Sequence, residues 1–479
     1  MRIITDMNET NGEVKLEDIV SLCKRRGFIF PGSDVYGGLA GTWDYGPLGV
    51  ALKRNIMALW WKMFVQDRDD MYGVDAAILM NQKVWQASGH VDTFTDPLVE
   101  CGNCKGRFRA DKLEKADTCP TCGQKDTFGP SRQFNMMFQT HIGPVGDLGP
   151  TETVIAKNND GTTNTIVTPG TAIIGNPYPD SSLVYLRPET AQGIFTNFKN
   201  VVDTIYPDVP FGIAQQGKAF RNEISPRDFV FRSREFEQME IEYFVRPEQW
   251  EEAFEMWRVQ IHEWFKALGL DESKTHELEV EAGDLAHYSK RTIDFEFDFP
   301  HGRDELLGMA YRTSFDLDNI AKASGKSMEY RPKDGSPAYV PHVIEPSFGV
   351  ERAVMAVLCS AYWNDTENER VVLRLPYELA PVKVAVCPLA KNNPELVAKA
   401  RDIYAKLKKE IGAVLWIDSG NIGKNYRKMD EIGVPYVVTV DFDTLEGDTK
   451  DTVTVRSRDT LAQERHKTIN LISLLGNPR

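Results

Sequence analysis

Residues 215–245 read QQGKAFRNEISPRDFVFRSREFEQMEIEYFV, two strand-like runs on either side of the polar turn Ser225-Pro226-Arg227-Asp228. Period-two alternation in the returning run puts Phe236, Gln238, Glu240 and Glu242 on one face, so an aromatic ring, an amide and two carboxylates share a surface. Glutamates on a strand are usually solvated. In so aromatic a stretch they need cationic partners instead, and Arg221, Arg227, Arg232 and Arg234 are close by. An arginine beside a planar aromatic is a common way to hold the phosphate and base of a nucleotide together.

Three other segments repeat the pattern of polar residues inside apolar sequence. In HVIEPSFGVERAVMAVL, residues 342–358, alternation places Val343, Glu345 and Ser347 on one side of a strand, Pro346 and Gly349 break it, and a helix follows with Arg352 in its first turn. Tyr185 to Gln192 (YLRPETAQ) sets Arg187 and Glu189 on a common face, and Glu305 to Arg312 (ELLGMAYR) brings a further acid and arginine. Each alone reads as a buried structural ion pair; together they describe a site. Strand-like runs at 183–186, 211–214, 238–245, 292–299 and 343–347 alternate only loosely with helical runs at 247–268 and 351–363, which predicts an α+β domain on an antiparallel sheet.

Upstream, a helix is expected over Leu16 to Arg26 with Gly27 as its stop. The glycine-rich VYGGLAGTWDYGPLG (35–49) then leads into an amphipathic helix over 50–65, whose Trp60 and Trp61 serve either a core or a subunit interface. Cys101, Cys104, Cys119 and Cys122 have the spacing CxxC-x14-CxxC, with Gly102, Asn103, Pro120, Thr121 and Gly123 in the turns. Two such knuckles predict a tetrahedral zinc with four thiolates and no place for water, hence a structural metal. Lys105, Arg107, Arg109, Lys112, Lys115 and Lys125 surround them, either as a solvated basic face or as a contact for a polyanion. Residues 98–134 and 140–180 read as insertions in a domain spanning 1–375.

After a break at Leu375-Pro376 to Pro381, residues 376–479 alternate strand and helix as an α/β unit, ending in a helix expected over Ala462 to Leu475. The chain has 479 residues and a net charge of -14, which excludes a generally basic nucleic-acid coat. Residues 381–479 nevertheless hold 16 Lys/Arg against 13 Asp/Glu, leaving 40 against 57 for residues 1–380, so a polyanion must be met locally. No apolar run is long enough to span a membrane, residues 1–15 are polar rather than signal-like, and the seven cysteines suit a reducing compartment, so a cytoplasmic protein is expected.

These segments resemble the homodimeric glycyl-tRNA synthetases, a class II aminoacyl-tRNA synthetase family, over essentially the whole chain. Phe220-Arg-Asn-Glu223 with Arg234-Glu235-Phe236 resembles motif 2 of that class, Glu345-Pro-Ser-Phe-Gly-Val-Glu-Arg352 resembles motif 3, and Gly46-Pro-Leu-Gly49 with the helix after it resembles the motif 1 region. RPETAQ, FEQME and EPSxGxxR are closest to the glycine branch, and GNIGKNYRKMDEIGVPY (420–436) resembles its anticodon-binding domain.

The resemblance implies a six-to-seven-stranded antiparallel catalytic sheet and ATP-dependent attachment of glycine to tRNA(Gly) through glycyl-adenylate, releasing AMP and diphosphate. It implies Arg221 on the α-phosphate, Phe236 stacked on adenine, Arg352 at the γ-phosphate and the other face of the base, and Glu305 helping to hold Mg²⁺. Asn222, Glu223, Phe231, Arg232, Ser233, Arg234, Glu235, Leu306 and Gly349 complete the implied nucleotide site. Glycine is expected among Arg109, Glu189, Glu240, Arg312, Glu345 and Ser347, with Glu237, Gln238, Met239 and Gly349 alongside. The family often has Trp-Gly before the Glu-Leu, where this chain has Arg303-Asp304.

The implied chemistry is physically coherent. A carboxylate is already a nucleophile and needs no general base, and glycine has no smaller competitor, so walls suffice for selectivity without editing. Two alternatives remain: a noncatalytic synthetase-like accessory subunit, which has no need to keep Arg221, Glu240, Glu345, Ser347 and Arg352 together, and another class II synthetase.

Overall fold

The computed structural model describes residues 14–113, 115–142, 182–419 and 421–476, together with the backbone of 153–157 and 163–167. Its centre is a sheet of seven strands: β1 (Met71–Gly73), β2 (Phe211–Phe220), β3 (Glu235–Val245), β4 (Thr275–Glu279), β5 (Arg291–Phe299), β6 (Gly302–Thr313) and β7 (His342–Gly349). They lie in the order β4-β5-β6-β7-β3-β2-β1, antiparallel throughout except for β1, which runs parallel to β2 at the edge.

Alternation along β3 separates core from cleft. Met239, Ile241, Tyr243 and Val245 enter the apolar core, while Gln238, Glu240 and Glu242 face the opposite way. Register carries the same division across the sheet, because Gln215 pairs with Glu240, Glu240 with Ser347, and Ser347 with Gly308. Three helices cover the core face: α1 (Pro47–Trp61), α2 (Trp250–Leu268) and α3 (Val350–Ala361). Trp60 of α1 and Trp264 of α2 meet Phe348 edge-on at 5.7 and 5.0 Å, so Phe348 anchors β7 from below while Ser347 faces the cleft. Trp60 therefore belongs to the core. The expected 50–65 helix starts three residues earlier, at Pro47, and passes into a π-turn over Lys62–Gln66 that keeps Phe64 buried. The Leu16–Arg26 helix is as expected, with Gly27 at φ 79° closing it through a bond to the Cys23 carbonyl.

On the other face, the Ala191–Ile205 helix packs Phe195 and Phe198 against Phe211 and Phe244. Before it, Arg187 is buried and donates to the Lys218 and Ala76 carbonyls, both at 2.7 Å. A Cβ at Gly217 would fall 2.2 Å from its guanidinium, so a side chain there would have to push Arg187 aside.

The four cysteines sit on a small three-stranded sheet of Arg107–Arg109, Thr95–Glu100 and Arg132–Asn135, in that order. The 140–180 insertion lies largely outside the described residues; within it the backbones of Thr153–Lys157 and Thr163–Val167 pair antiparallel. Among the described residues no helix is long and apolar enough to cross a membrane.

The C-terminal part is a five-stranded sheet, β8 (Val384–Pro388), β9 (Val414–Trp416), β10 (Tyr436–Val440), β11 (Thr452–Ser457) and β12 (Gln463–Lys467), ordered β9-β8-β10-β11-β12. The first three are parallel, and helix α4 (Pro394–Ile411) packs Leu396, Ile403 and Leu407 onto them. One expectation needs correcting: Ala462–Leu475 is not a single helix. Residues 463–467 form the edge strand β12 and only Leu471–Leu475 is helical. QERHK is compatible with a helix by propensity, but β11 leaves an open edge, and pairing with it outweighs a local preference of a few tenths of a kcal/mol per residue.

Helix α5 (Ile422–Glu431) ties this unit to the rest. Its Asp430 is fully buried and bonds Arg370 at 2.8 Å and Arg456 at 2.7 and 2.8 Å, while Glu431 pairs with Arg25 and Arg26.

Candidate active site

Two cavities of about 280 and 310 Å³ abut on the cleft face of the sheet and share Arg221, Gln238, Glu305 and Ser347 as walls. The first is built by the β2–β3 connection and the start of α3. Arg221 follows β2 directly, and its Nε donates to the Pro188 carbonyl at 3.1 Å, with the guanidinium 5.3 Å from the Phe236 ring centre. Arg352, in the first turn of α3, lies 4.6 Å from the Phe231 ring centre and 3.0 Å from Glu305 Oε2. That guanidinium outweighs burial and holds the Glu305 carboxyl below its ordinary range. Glu223, Arg232, Ser233, Leu306 and Gly349 also line this cavity, and Arg232 stands 3.5 Å from Glu223. An aromatic slot edged by arginines can take a planar base and its phosphates.

The second cavity is acidic. Glu240 accepts from Thr190 Oγ1 at 2.5 Å and Ser347 Oγ at 2.6 Å. Glu345 accepts from Arg312 at 2.7 Å, and Arg312 is forked onto Asp316 at 2.8 and 2.9 Å while stacking on Tyr288. Burial raises the Glu240 carboxyl, with Glu189 adding to it. Burial, opposed by Arg312 and reinforced by Glu240 and Glu189, pushes Glu345 up to about 8. At Glu189 burial is overcome by His90, Arg312 and Arg221, which hold the carboxyl down at about 2. Carboxylates this close, with one buried arginine among them, can take a small cation.

Not every expected residue is gathered here. Arg109 lines the first cavity rather than the acidic one, and its guanidinium is held by Asp96 at 2.9 Å and Asp111 at 2.7 Å. Glu237 and Met239 point to the core face of β3, as alternation dictates, with Glu237 paired to Lys53. Arg234 braces the connection by donating to the Ala40 and Glu223 carbonyls, exposed Glu235 pairs with Lys218, and the Asn222 backbone N–H donates to the Met136 carbonyl.

A family model described as the class II tRNA synthetase core domain (G, H, P, S and T) matches residues 179–361, and an anticodon binding domain model matches 383–477. A glycine–tRNA ligase of Streptomyces coelicolor is 46% identical over 94% of this chain and 95% of its own length. The glycine–tRNA ligase of Alkaliphilus oremlandii is 44% identical, covering 97% of this chain and 98% of the relative, and that of Borrelia garinii 45%, covering 94% and 95%. The chain belongs to the glycine–tRNA ligase family. Neither a noncatalytic relative nor a class II synthetase for another amino acid is favoured by these matches.

Within that family setting, the cysteine cluster passes a metal-fit test. Cys101 and Cys122 Sγ are 3.8 Å apart, Cys104 and Cys119 Sγ 3.6 Å, and all four lie within 4.8 Å of one another. Tetrahedral zinc with bonds of about 2.3 Å separates its thiolates by about 3.8 Å. Residues that sequence reasoning passed over also reach this cleft: Tyr288 in the wall of the acidic cavity, buried Thr190 behind it through its bond to Glu240, and His90, 3.2 Å from Glu189. Thr190 was legible as the neighbour of Glu189 in RPETAQ. His90 carries no pattern of its own.

Proposed function

We propose that this chain attaches glycine to tRNA(Gly) in two steps, ATP-dependent formation of glycyl-adenylate and transfer of the glycyl group to the terminal ribose. The observation that carries the reading is the pair of abutting cavities, one aromatic and arginine-edged, the other acidic and small. In the first step a glycine carboxylate oxygen bonds to the α-phosphorus and the bond to the β-phosphate bridge breaks, expelling diphosphate. In the second a ribose hydroxyl attacks the glycyl carbonyl and AMP leaves. Arg221 is assigned to the α-phosphate, Phe236 to adenine, and Arg352 with Phe231 to the far side of the nucleotide. Glu189, Glu240 and Glu345 take the ammonium, with Ser347 closing the wall. Glu305 is the residue that would hold Mg²⁺, which neutralises charge on the phosphates when bound. Cys101, Cys104, Cys119 and Cys122 would hold a structural Zn²⁺. A homodimer in the cytoplasm completes the reading.

Amino-acid-dependent exchange of diphosphate into ATP tests it. Across a panel of amino acids, glycine is expected to drive exchange and alanine, serine, threonine and proline to fail. Arg221→Ala and Arg352→Ala should each slow exchange by roughly 10² or more. Near-parental exchange by both folded variants would sink the adenylation mechanism.

A further inference from the structure

Glu189 offers the acidic cavity a carboxylate whose two oxygens are treated differently. Oε1 is buried and has no partner among the described residues. Oε2 stands 3.2 Å from His90 Nε2. Behind it, His90 Nδ1 is 2.7 Å from Ser88 Oγ, and Ser88 is itself buried. The Ser88 hydroxyl has one proton and two acceptors in reach, the Trp85 carbonyl at 3.4 Å and Nδ1 at 2.7 Å. Donation to the nearer one leaves Nε2 as the protonated nitrogen facing Glu189, and an imidazolium would present the same N–H.

The ring is fixed as well as polarised. Trp85 and Phe94 meet it at centroid distances of 5.5 and 5.6 Å, and Asn135 holds its backbone by donating to the His90 and Val91 carbonyls at 3.3 and 2.7 Å. Gly89 just before it has φ 85°, a conformation that side chains with a Cβ rarely adopt, and so aims the short His90–Thr93 helix at Glu189.

We propose that His90 is a positioning residue for the amino acid: it grips Glu189 by Oε2, fixes the carboxylate plane and leaves Oε1, which has no other partner among the described residues, to accept from the ammonium, with Ser88 setting the tautomer. The inference rests on reading the acidic cavity as the glycine site. A ligand carboxylate steered by an N–H behind it is a familiar arrangement, and losing such a support weakens the ligand contact without touching the reacting atoms.

The test is diphosphate exchange by the full-length protein, resolving glycine KM, ATP KM and kcat. His90→Phe fills the space without a donor and should raise glycine KM about tenfold or more while leaving ATP KM and kcat within about twofold. His90→Gln, whose amide nitrogen extends toward the Nε2 position, should recover most of the loss. His90→Asn, whose amide ends near Nδ1, should not. Ser88→Ala should shift glycine KM in the same direction by less. If His90→Phe does not fold, the glutamine and asparagine variants decide, and equal glycine KM values in those two overturn the proposal. So does a loss confined to kcat. Glu189→Gln separates the layers: a raised glycine KM there with parental values in the His90 variants removes His90 alone, whereas a parental glycine KM in Glu189→Gln removes the glycine-site reading itself.

Discussion

Glu242 and Glu345 are both buried on the cleft face of the sheet, yet their surroundings differ. Glu242 is 0% exposed, neither of its oxygens has a partner among the described residues, and burial raises its carboxyl well above the ordinary range. Glu345 has Arg312, and with burial opposed in this way it sits at about 8. A carboxyl raised to about 8 is mostly protonated at neutral pH, whereas an ammonium ligand favours its ionised form. Glycine binding must therefore release a proton below that value and need not do so above it. Glycine KM should fall by roughly tenfold or more between about pH 6.5 and 8.5 and then flatten, and Glu345→Gln should remove the slope. A flat glycine KM in the parental protein across that range would contradict the assignment of Glu345 to the ammonium. At this scale the sequence was informative wherever alternation governed: Phe236, Gln238, Glu240, Glu345 and Ser347 share the cleft because period two put them there. It was uninformative for Arg109 and His90, whose places depend on how an inserted sheet docks, which no local period encodes.

Among the elements, the paired cysteine turns show how a remote feature reaches the first cavity. The Arg107–Arg109 strand follows Cys101 and Cys104 closely and delivers Arg109 into the wall of the first cavity, while Asn135 at the far edge of the same small sheet holds the His90 turn. Cys104→Ala should lower bound zinc from about one per chain to none, read by metal analysis, and raise ATP KM several-fold through the loosened Arg109. Full zinc content would show that the four cysteines do not hold the metal, and a metal-free variant with parental ATP KM would show that the metal does not support the cavity. Helices punctuated by Gly27, Pro47 and Gly269 were legible to within about three residues, whereas Ala191–Ile205 and Phe315–Ser324 were not among those expected. The Gln463–Lys467 strand was not, because its partner is an edge that exists only once the sheet has assembled.

Across the molecule, charge is divided between a strongly acidic body and a slightly basic C-terminal unit. On α5, Lys424 and Lys428 are exposed one turn apart, on the helix whose far end carries the buried Asp430. If this face meets tRNA phosphates, Lys424→Ala and Lys428→Ala should each raise tRNA KM and flatten the dependence of log affinity on log salt by about one, with diphosphate exchange unchanged. Unaltered salt dependence in both would place the tRNA elsewhere. The presence of a second, α/β unit was readable from its strand–helix alternation, but its union with the rest was not. Met429, Ile432 and Val437 join the same apolar core as the catalytic helices, and Asp430 is shared by Arg456 from within the unit and Arg370 from the hairpin before it. Removing Arg370 leaves Asp430 to Arg456 alone and takes the arginine from buried Asp365 as well, which lowers stability. The anticodon unit is consequently no portable cassette. A chimera that spliced residues 383–477 onto a foreign synthetase body would inherit a buried acid matched by Arg456 alone at its seam, and a working graft would have to bring along the short Arg370–Leu373 strand and Asp365 that came with it.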